Sequence, residues 1–287
     1  MRPQALDYIA ARDTDEVLDA LADGDTWVLA GGQSLVPDVN TGVARPRRLV
    51  DINGVVEFDA LAEADGVLRV APLVRHRAFE SDAVPGALGD LLRTIVRHIG
   101  HPPIRARGTM LGSLAYAHPA AEWPVLATVL DAQLDLLGPR GRRTVAAQQF
   151  FTGPFTTARR PEELLVEVRL PTLPAGMGVG FAEHRRAFAK FADVAAMAAV
   201  RVTEGLVSAA LLGLVNAGPC PVRARVAEEV LIGAVFSDAA ITEAAETAAD
   251  VDANLHPRST SAAEGRSRWR AVKVLTRRAL TQAREGM

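Results

Sequence analysis

Trp27-Val-Leu-Ala-Gly-Gly-Gln-Ser-Leu-Val-Pro37 is the stretch on which the fold of this chain turns. A short apolar run, Trp27–Ala30, passes directly into a glycine pair and then into small polar residues. That order predicts a buried strand ending in a loop whose backbone approaches a ligand closely. Gly31 and Gly32 carry no Cβ, so either can take positive φ and turn its N–H toward open space. Successive N–H groups aimed at one point form an anion-binding concavity suited to nucleotide phosphates. The same residues also fit an ordinary tight turn, and the stretch alone does not choose between the two.

Working outward, Asp51 lies in a second apolar run, Leu49–Ile52, about 20 residues on, where a Rossmann fingerprint places its ribose acid. No third glycine follows the pair, and Pro37 predicts that no helix N-terminus stands behind it. An independent NAD dehydrogenase is therefore only a competing reading. Upstream, Thr14-Asp-Glu-Val-Leu-Asp-Ala-Leu predicts a helix capped by Thr14, with acidic residues at the positive end of its dipole. The first segment, to about residue 55, reads as a small α/β unit.

Downstream, Val67–Pro72 predicts a strand and Gly86–Ile99 an amphipathic helix, with Leu88, Leu91, Leu92, Ile95, Val96 and Ile99 on one face. Gly100 and Pro102-Pro103 stop that helix. A second glycine-punctuated loop follows, Ile104-Arg-Ala-Arg-Gly-Thr-Met-Leu-Gly-Ser113, and leads to a helix that carries Glu122 near its start. Strands are expected at Gln133–Leu137, Arg143–Val145 and Leu164–Leu170. Pro171-Thr-Leu-Pro-Ala-Gly176 is the best candidate boundary. Beyond it, Val194–Val202 and Leu206–Val215 flank Glu204-Gly205 as an antiparallel hairpin, and the alanine-rich remainder reads as helical.

Composition excludes several classes. A net charge of −2 over 287 residues gives no general attraction to nucleic acid or anionic membrane. A single cysteine, Cys220, rules out an internal disulfide framework and an all-cysteine metal site, and its flanking prolines suit a packed turn residue better than a nucleophile. No apolar run reaches membrane-spanning length and no signal core opens the chain, so a cytoplasmic protein is expected. His98 and His101 span a helix end and no carboxylate or cysteine completes a set, so solvated or capping histidines are expected. The basic C-terminal segment, Arg258 to Arg284, reads as the solvated face of a helix packed through Trp269, Val272, Leu275 and Leu280; docking to an acidic partner is the alternative.

Two glycine loops together suit an extended ligand whose pyrophosphate both can grip, each charge-assisted amide contact contributing about 1.5–3 kcal/mol. The chain resembles the FAD-binding medium subunit of the molybdenum hydroxylases, the carbon monoxide dehydrogenase and xanthine dehydrogenase family, nearly end to end. Ala30-Gly-Gly-Gln-Ser-Leu35 looks like that family's first flavin loop; Val50-Asp-Ile-Asn, Arg75-His-Arg, Arg107-Gly-Thr, Pro119-Ala-Ala-Glu122 and Phe151-Thr-Gly-Pro-Phe follow in order. Gly218-Pro-Cys-Pro-Val-Arg-Ala224 and Arg277-Arg-Ala-Leu280 are similar to its C-terminal part.

The resemblance implies an α+β (α/β) chain. A PCMH-type FAD-binding domain would span 1–175, in subdomains of about 1–55 and 56–175, and a C-terminal domain of antiparallel sheet and helices would span 176–287. It implies that Ala30, Gly31, Gly32, Gln33, Ser34 and Leu35 bind the FAD pyrophosphate together with Thr109, Met110, Leu111, Gly112 and Ser113. Glu122 would bond cofactor hydroxyls and Leu165 would lie beside the isoalloxazine. No residue would catalyse substrate oxidation or bind a metal. That chemistry is implied to lie on a large molybdenum-cofactor subunit, with a small [2Fe-2S] subunit delivering electrons, in a dimer of heterotrimers. The family usually has Thr-Ile-Gly-Gly-Ser where this chain has Thr109-Met-Leu-Gly-Ser113, so Leu111 predicts backbone strain or a different loop path. It keeps a second reading open, a degenerate relative acting as a structural or assembly subunit.

Overall fold

The apolar runs around the glycine pair condense into a three-stranded parallel sheet. In chain order its elements are β1 (Asp7–Ala10), α1 (Thr14–Ala22), β2 (Thr26–Leu29), α2 (Leu35–Thr41) and β3 (Arg48–Asp51), with β3 between β1 and β2. The computed structural model describes residues 6–187, 190–254 and 262–287. The helix α1 is capped by Asp13, whose carboxylate accepts from the Glu16 N–H at 2.9 Å; Thr14, the expected cap, instead donates to Glu57 at 3.1 Å. β2 is an edge strand with Trp27 46% exposed, so the expected buried strand is only partly covered.

A helix does start behind the glycines, against the expectation from Pro37. Pro37 is the third residue of α2, in the first turn, where main-chain N–H groups have no intrahelical acceptor and a missing one costs little.

The middle of the chain forms a five-stranded antiparallel sheet with its helices on one side. Its elements are β4 (Leu61–Ala64), β5 (Val67–Val70), α3 (Gly86–Val96), α4 (Pro102–Arg107), α5 (Met110–Tyr116), α6 (Glu122–Val129), β6 (Gln133–Gly138), β7 (Gly141–Ala146), α7 (Ala147–Phe150), β8 (Phe151–Gly153), β9 (Thr156–Thr157) and β10 (Leu164–Pro171). The sheet order is β4-β5-β10-β6-β7, while β8 and β9 pair separately. α3 buries Leu88, Leu91, Leu92, Ile95 and Val96 as its periodicity predicts. Pro102 and Pro103 end the run after α3 but also open α4, because proline suits the first turn of a helix. The expected second loop is therefore largely helical: Met110–Ser113 is the first turn of α5.

The last part holds β11 (Met177–His184), β12 (Val194–Thr203), β13 (Leu206–Val215), β14 (Val222–Arg223), α8 (Arg225–Leu231), α9 (Asp238–Thr247) and α10 (Ala262–Glu285). β11 to β14 form an antiparallel sheet in sequential order, and β12 with β13 is the expected hairpin. One face of this sheet, through Phe181, Ala195, Met197 and Ala199, joins the core of the middle part; the other, through Ala196, Ala198 and Val200, packs on α8 to α10. Burial on both faces explains why β12 reads as continuous Val-Ala-Ala-Met-Ala-Ala-Val instead of alternating.

α10 turns Val272, Leu275 and Leu280 inward and leaves Arg266, Arg270, Arg277 and Arg278 exposed, as the sequence predicts, whereas Arg268 of the expected solvated face is half-buried and donates to the Asn216 carbonyl. Arg258 and His256 lie outside the described residues. Main chain meets main chain where β11 touches α10. A Cβ on Gly180 would overlap the Ala279 carbonyl and lie 2.9 Å from Gln282 Cβ. Gly180→Val is expected to destabilise the protein by about 2 kcal/mol or more, because neither backbone can withdraw. An unchanged melting temperature would contradict that contact.

Candidate functional site

The two glycine-bearing segments lie against each other. A Cβ on Gly31 would collide with the Arg107 carbonyl oxygen and stand 2.7 Å from Gly108 Cα, so the turn after β2 rests on the turn before α5. Gly32 has φ +73°, a conformation that favours glycine, and it rotates the chain into α2. Among the described residues, none accepts a hydrogen bond from the main-chain N–H groups of Gly31, Gly32, Gln33, Ser34 or Leu35. The Gln33 amide donates back to the Gly31 carbonyl at 3.1 Å, and the Ser34 side chain makes no capping bond.

The opposing wall is the start of α5. Thr109 caps it, its Oγ1 accepting from the Gly112 N–H at 3.0 Å, while the Met110 N–H donates to the Val74 carbonyl at 3.3 Å. The Leu111 N–H has no acceptor among the described residues, and neither the Ser34 nor the Ser113 hydroxyl is engaged by them. Two abutting turns thus carry unengaged N–H groups and two unengaged hydroxyls, a candidate cradle. Such a cradle suits a polyanion and has no room for a side chain at Gly31.

Leu111 carries no strain. It takes a helical conformation in the first turn of α5, is absent from the positive-φ residues, and is buried in one core with Met110 and Leu114. The expectation of a distorted loop fails because the first turn of a helix takes leucine at ordinary negative φ. Leu111→Gly is therefore expected to cost about 2–5 kcal/mol of stability through lost packing, and not to tighten ligand binding. Denaturant unfolding beside ligand titration would check both parts.

A polar brace fixes the cradle from behind. The Tyr8 hydroxyl donates to Asp51 Oδ2 at 2.5 Å, and the Asn53 main-chain N–H donates to Asp51 Oδ1 at 2.8 Å. The Asn53 amide then donates to the Ala30 carbonyl at 2.9 Å. The Arg75 guanidinium joins Asn53 Oδ1 at 2.5 Å to the Arg107 carbonyl at 2.6 Å. One chain of bonds thus holds both turns. Burial works against the Asp51 charge, but the bonds from Tyr8 and Asn53 outweigh it and keep this carboxyl below its ordinary value. With both oxygens engaged, Asp51 is a brace and not a ribose acid. Sequence reasoning missed Tyr8, Asn53 and Arg75 as site residues, although Val50-Asp-Ile-Asn and Arg75-His-Arg were visible as motifs.

Glu122 opens α6 and is 4% exposed; burial first, and the Glu183 charge second among the raising effects, push its carboxyl up to about 8 despite Arg185. A neutral carboxyl both donates and accepts, which suits hydroxyl recognition. Leu165, on β10, shares the core of Leu111 and Leu114. The structure therefore brings Ala30–Leu35 together with Thr109–Ser113, while Leu165 lies within the packed interior.

The histidine pair departs from expectation. His98 Nδ1 lies 2.8 Å from Glu183 Oε1, and Arg185 Nη2 is 2.9 Å from the same oxygen, so this nitrogen of the half-buried His98 faces a carboxylate and not solvent. The carboxylate comes from β11, far away in sequence. No group of three or more metal-ligating side chains forms among the described residues. Aromatic rings gather at the other end of α5: His118 stacks on Phe191 at 3.8 Å and meets Phe155 edge-on, while the Tyr116 hydroxyl donates to Asp38 of α2 at 2.9 Å. Burial and that bond push Tyr116 up to about 12.

Comparison with known proteins bears on this cradle. Residues 4–173 match the family model described as the FAD binding domain in molybdopterin dehydrogenase, and residues 180–283 match the CO dehydrogenase flavoprotein C-terminal domain. The chain belongs to the FAD-binding medium-subunit family of the molybdenum hydroxylases. Members of this family are oxidoreductase subunits. This medium-subunit chain is 34% identical over 286 residues to the 6-hydroxypseudooxynicotine dehydrogenase complex subunit alpha of Paenarthrobacter nicotinovorans, covering 99% of this chain and 96% of that protein. It is 31% identical over 288 residues to the carbon monoxide dehydrogenase medium chain of Afipia carboxidovorans, covering 99% and 98%. The quinoline 2-oxidoreductase structure from Pseudomonas putida 86 superposes with a TM-score of 0.92 at 31% identity, over 100% of this chain and 99% of that one. No helix among the described residues is long and apolar enough to cross a membrane.

Proposed function

We propose that the cradle between Gly31–Leu35 and Thr109–Ser113 holds the pyrophosphate of FAD, and that this chain is the electron-transfer subunit of a molybdenum-containing hydroxylase or dehydrogenase. The observation that carries this reading is the row of unengaged N–H groups at Gly31–Leu35, closed from behind by Gly108. A diphosphate would replace water on those groups, and the brace from Tyr8 to Arg75 would keep them in place without reorganisation. Neutral Glu122 would bond cofactor hydroxyls at lower desolvation cost than a carboxylate. When bound, FAD supplies the capacity to take up two electrons and pass them to a different acceptor.

Electrons would arrive from a small [2Fe-2S] subunit, after substrate oxidation on a large molybdenum-cofactor subunit, in a dimer of heterotrimers. Residues 1–175 would form the FAD-binding domain and 176–287 the C-terminal domain, with the break in the segment after β10. The absence of positive φ at Leu111 removes the feature that favoured a degenerate structural subunit.

The visible spectrum of the purified protein, read beside what co-purifies with it, tests the proposal. Flavin bands together with molybdenum and iron–sulfur subunits are expected. A colourless protein that stays colourless after soaking in FAD would sink it.

A further inference from the structure

Behind Gly108 stands a buried histidine that is part of neither the N–H row nor the Tyr8–Arg75 brace. His76 is 5% exposed, and its main-chain N–H donates to the Gly108 carbonyl at 2.9 Å. The edge of its ring that carries Cδ2 and Nε2 fills the space a Gly108 side chain would take: a Cβ there would lie 2.7 Å from both atoms. Its other nitrogen, Nδ1, accepts from the Trp123 indole N–H at 3.0 Å. Trp123 is itself 1% exposed, packs edge-on against Phe79, and directly follows Glu122 in α6.

These contacts form one continuous stack: Trp123, His76, Gly108, Gly31. Indole N–H is only a donor, so Nδ1 must be the unprotonated nitrogen, and the neutral ring must carry its proton on Nε2. A cationic ring would set two N–H groups against each other at Trp123. Burial, followed by the charges of Arg105 and Arg75, opposes that cation too, Arg105 being paired with Glu80. The ring therefore has one protonation state and one tautomer.

We propose that His76 is a positioning residue for the cofactor site. Locked as the Nε2–H tautomer by Trp123, it props Gly108 against Gly31 and so sets the spacing between the N–H row of Gly31–Leu35 and the start of α5. The inference rests on the FAD reading for its ligand, but not for its geometry. Through Trp123 it also ties the cradle to the helix turn that carries Glu122, so pyrophosphate and hydroxyl contacts share one rigid support.

The test compares His76→Phe, His76→Gln and Trp123→Phe with the wild-type protein, with FAD itself as the probe. Three quantities are read: the FAD dissociation constant, the melting temperature of the flavin-free protein, and residue-resolved amide hydrogen exchange. Phenylalanine fills a similar volume but leaves the buried indole N–H without an acceptor, so His76→Phe is expected to weaken FAD binding about tenfold or more. Glutamine presents an acceptor and a donor, and His76→Gln is expected to recover affinity to within about threefold of the wild type. In both His76→Phe and Trp123→Phe, exchange should quicken at residues 31–35 and 108–113 before it quickens elsewhere. In Trp123→Phe, nitrogen NMR should show a second His76 tautomer.

Equal FAD affinity in His76→Phe and wild type would overturn the proposal. So would a loss that glutamine does not recover, or exchange that quickens uniformly, because either would mark a merely structural residue. If the wild-type protein takes up no FAD, the functional reading fails, and the exchange pattern alone decides whether His76 sets the cradle.

Discussion

Gly31→Ala is expected to remove FAD from the purified protein almost completely. The added methyl would collide with the Arg107 carbonyl and approach Gly108 Cα to 2.7 Å, and both are main-chain atoms fixed by Arg75 and His76. Neither turn can yield alone, so the N–H row at Gly31–Leu35 must separate from the start of α5. Each charge-assisted N–H contact contributes about 1.5–3 kcal/mol, so losing two of them weakens binding about a hundredfold or more. Overpacking should also cost about 1–3 kcal/mol of stability in the flavin-free protein. Gly265→Ala is the control, since a Cβ there meets nothing within 4 Å. It should keep its flavin, with a melting temperature equal to or slightly above wild type because alanine favours a helix over glycine. Flavin content measured by absorbance, and affinity measured by titration, would decide; a Gly31→Ala protein that keeps wild-type affinity would remove the cradle from the cofactor site. A bulkier residue is unnecessary, because the conflict begins at the first side-chain carbon.

Much of this site is legible in the chain because its signals are local. The apolar run into Gly31-Gly32, the helical face of Leu88 to Val96 and the Glu204-Gly205 hairpin each need only near neighbours. What escapes is either a capping effect or a long-range contact. Pro37 and Leu111 both look disruptive when the surrounding residues are read as loop, yet both sit in first turns, where proline is tolerated and helical φ suffices. Asn53 reaching the Ala30 carbonyl, Arg75 bridging Asn53 to Arg107, and Trp123 bonding His76 all depend on how β3, α4 and α6 are brought together. No spacing rule encodes those meetings. The same holds for Glu183, which reaches His98 only because β11 packs beside α3.

Glu122→Gln is expected to make the flavin-free protein more stable at alkaline pH and to leave it nearly unchanged at acid pH. The Glu122 carboxyl is raised from an ordinary 4.5 to about 8 by burial, assisted by Glu183 and opposed by its own main-chain N–H and by Arg185. The folded protein therefore holds a proton that the unfolded chain releases. Below about 4.5 both states are protonated and the carboxyl imposes no ionisation cost. As pH rises through about 8 the folded state must ionise a buried group, and the stability present at acid pH is lost. Over that interval the wild type should fall behind Glu122→Gln by on the order of 5 kcal/mol, since each pKa unit is worth about 1.4 kcal/mol. Glutamine cannot ionise, so its own profile should lack this slope, while its amide still donates and accepts toward cofactor hydroxyls. Glu122→Gln should accordingly retain FAD near neutral pH, and Glu122→Ala should bind it less tightly. Unfolding free energies of wild type and Glu122→Gln measured across this pH range provide the check. A difference between them that stays constant with pH would show that Glu122 is ionised in the folded protein, and the neutral-acid role in the cofactor site would fall with it.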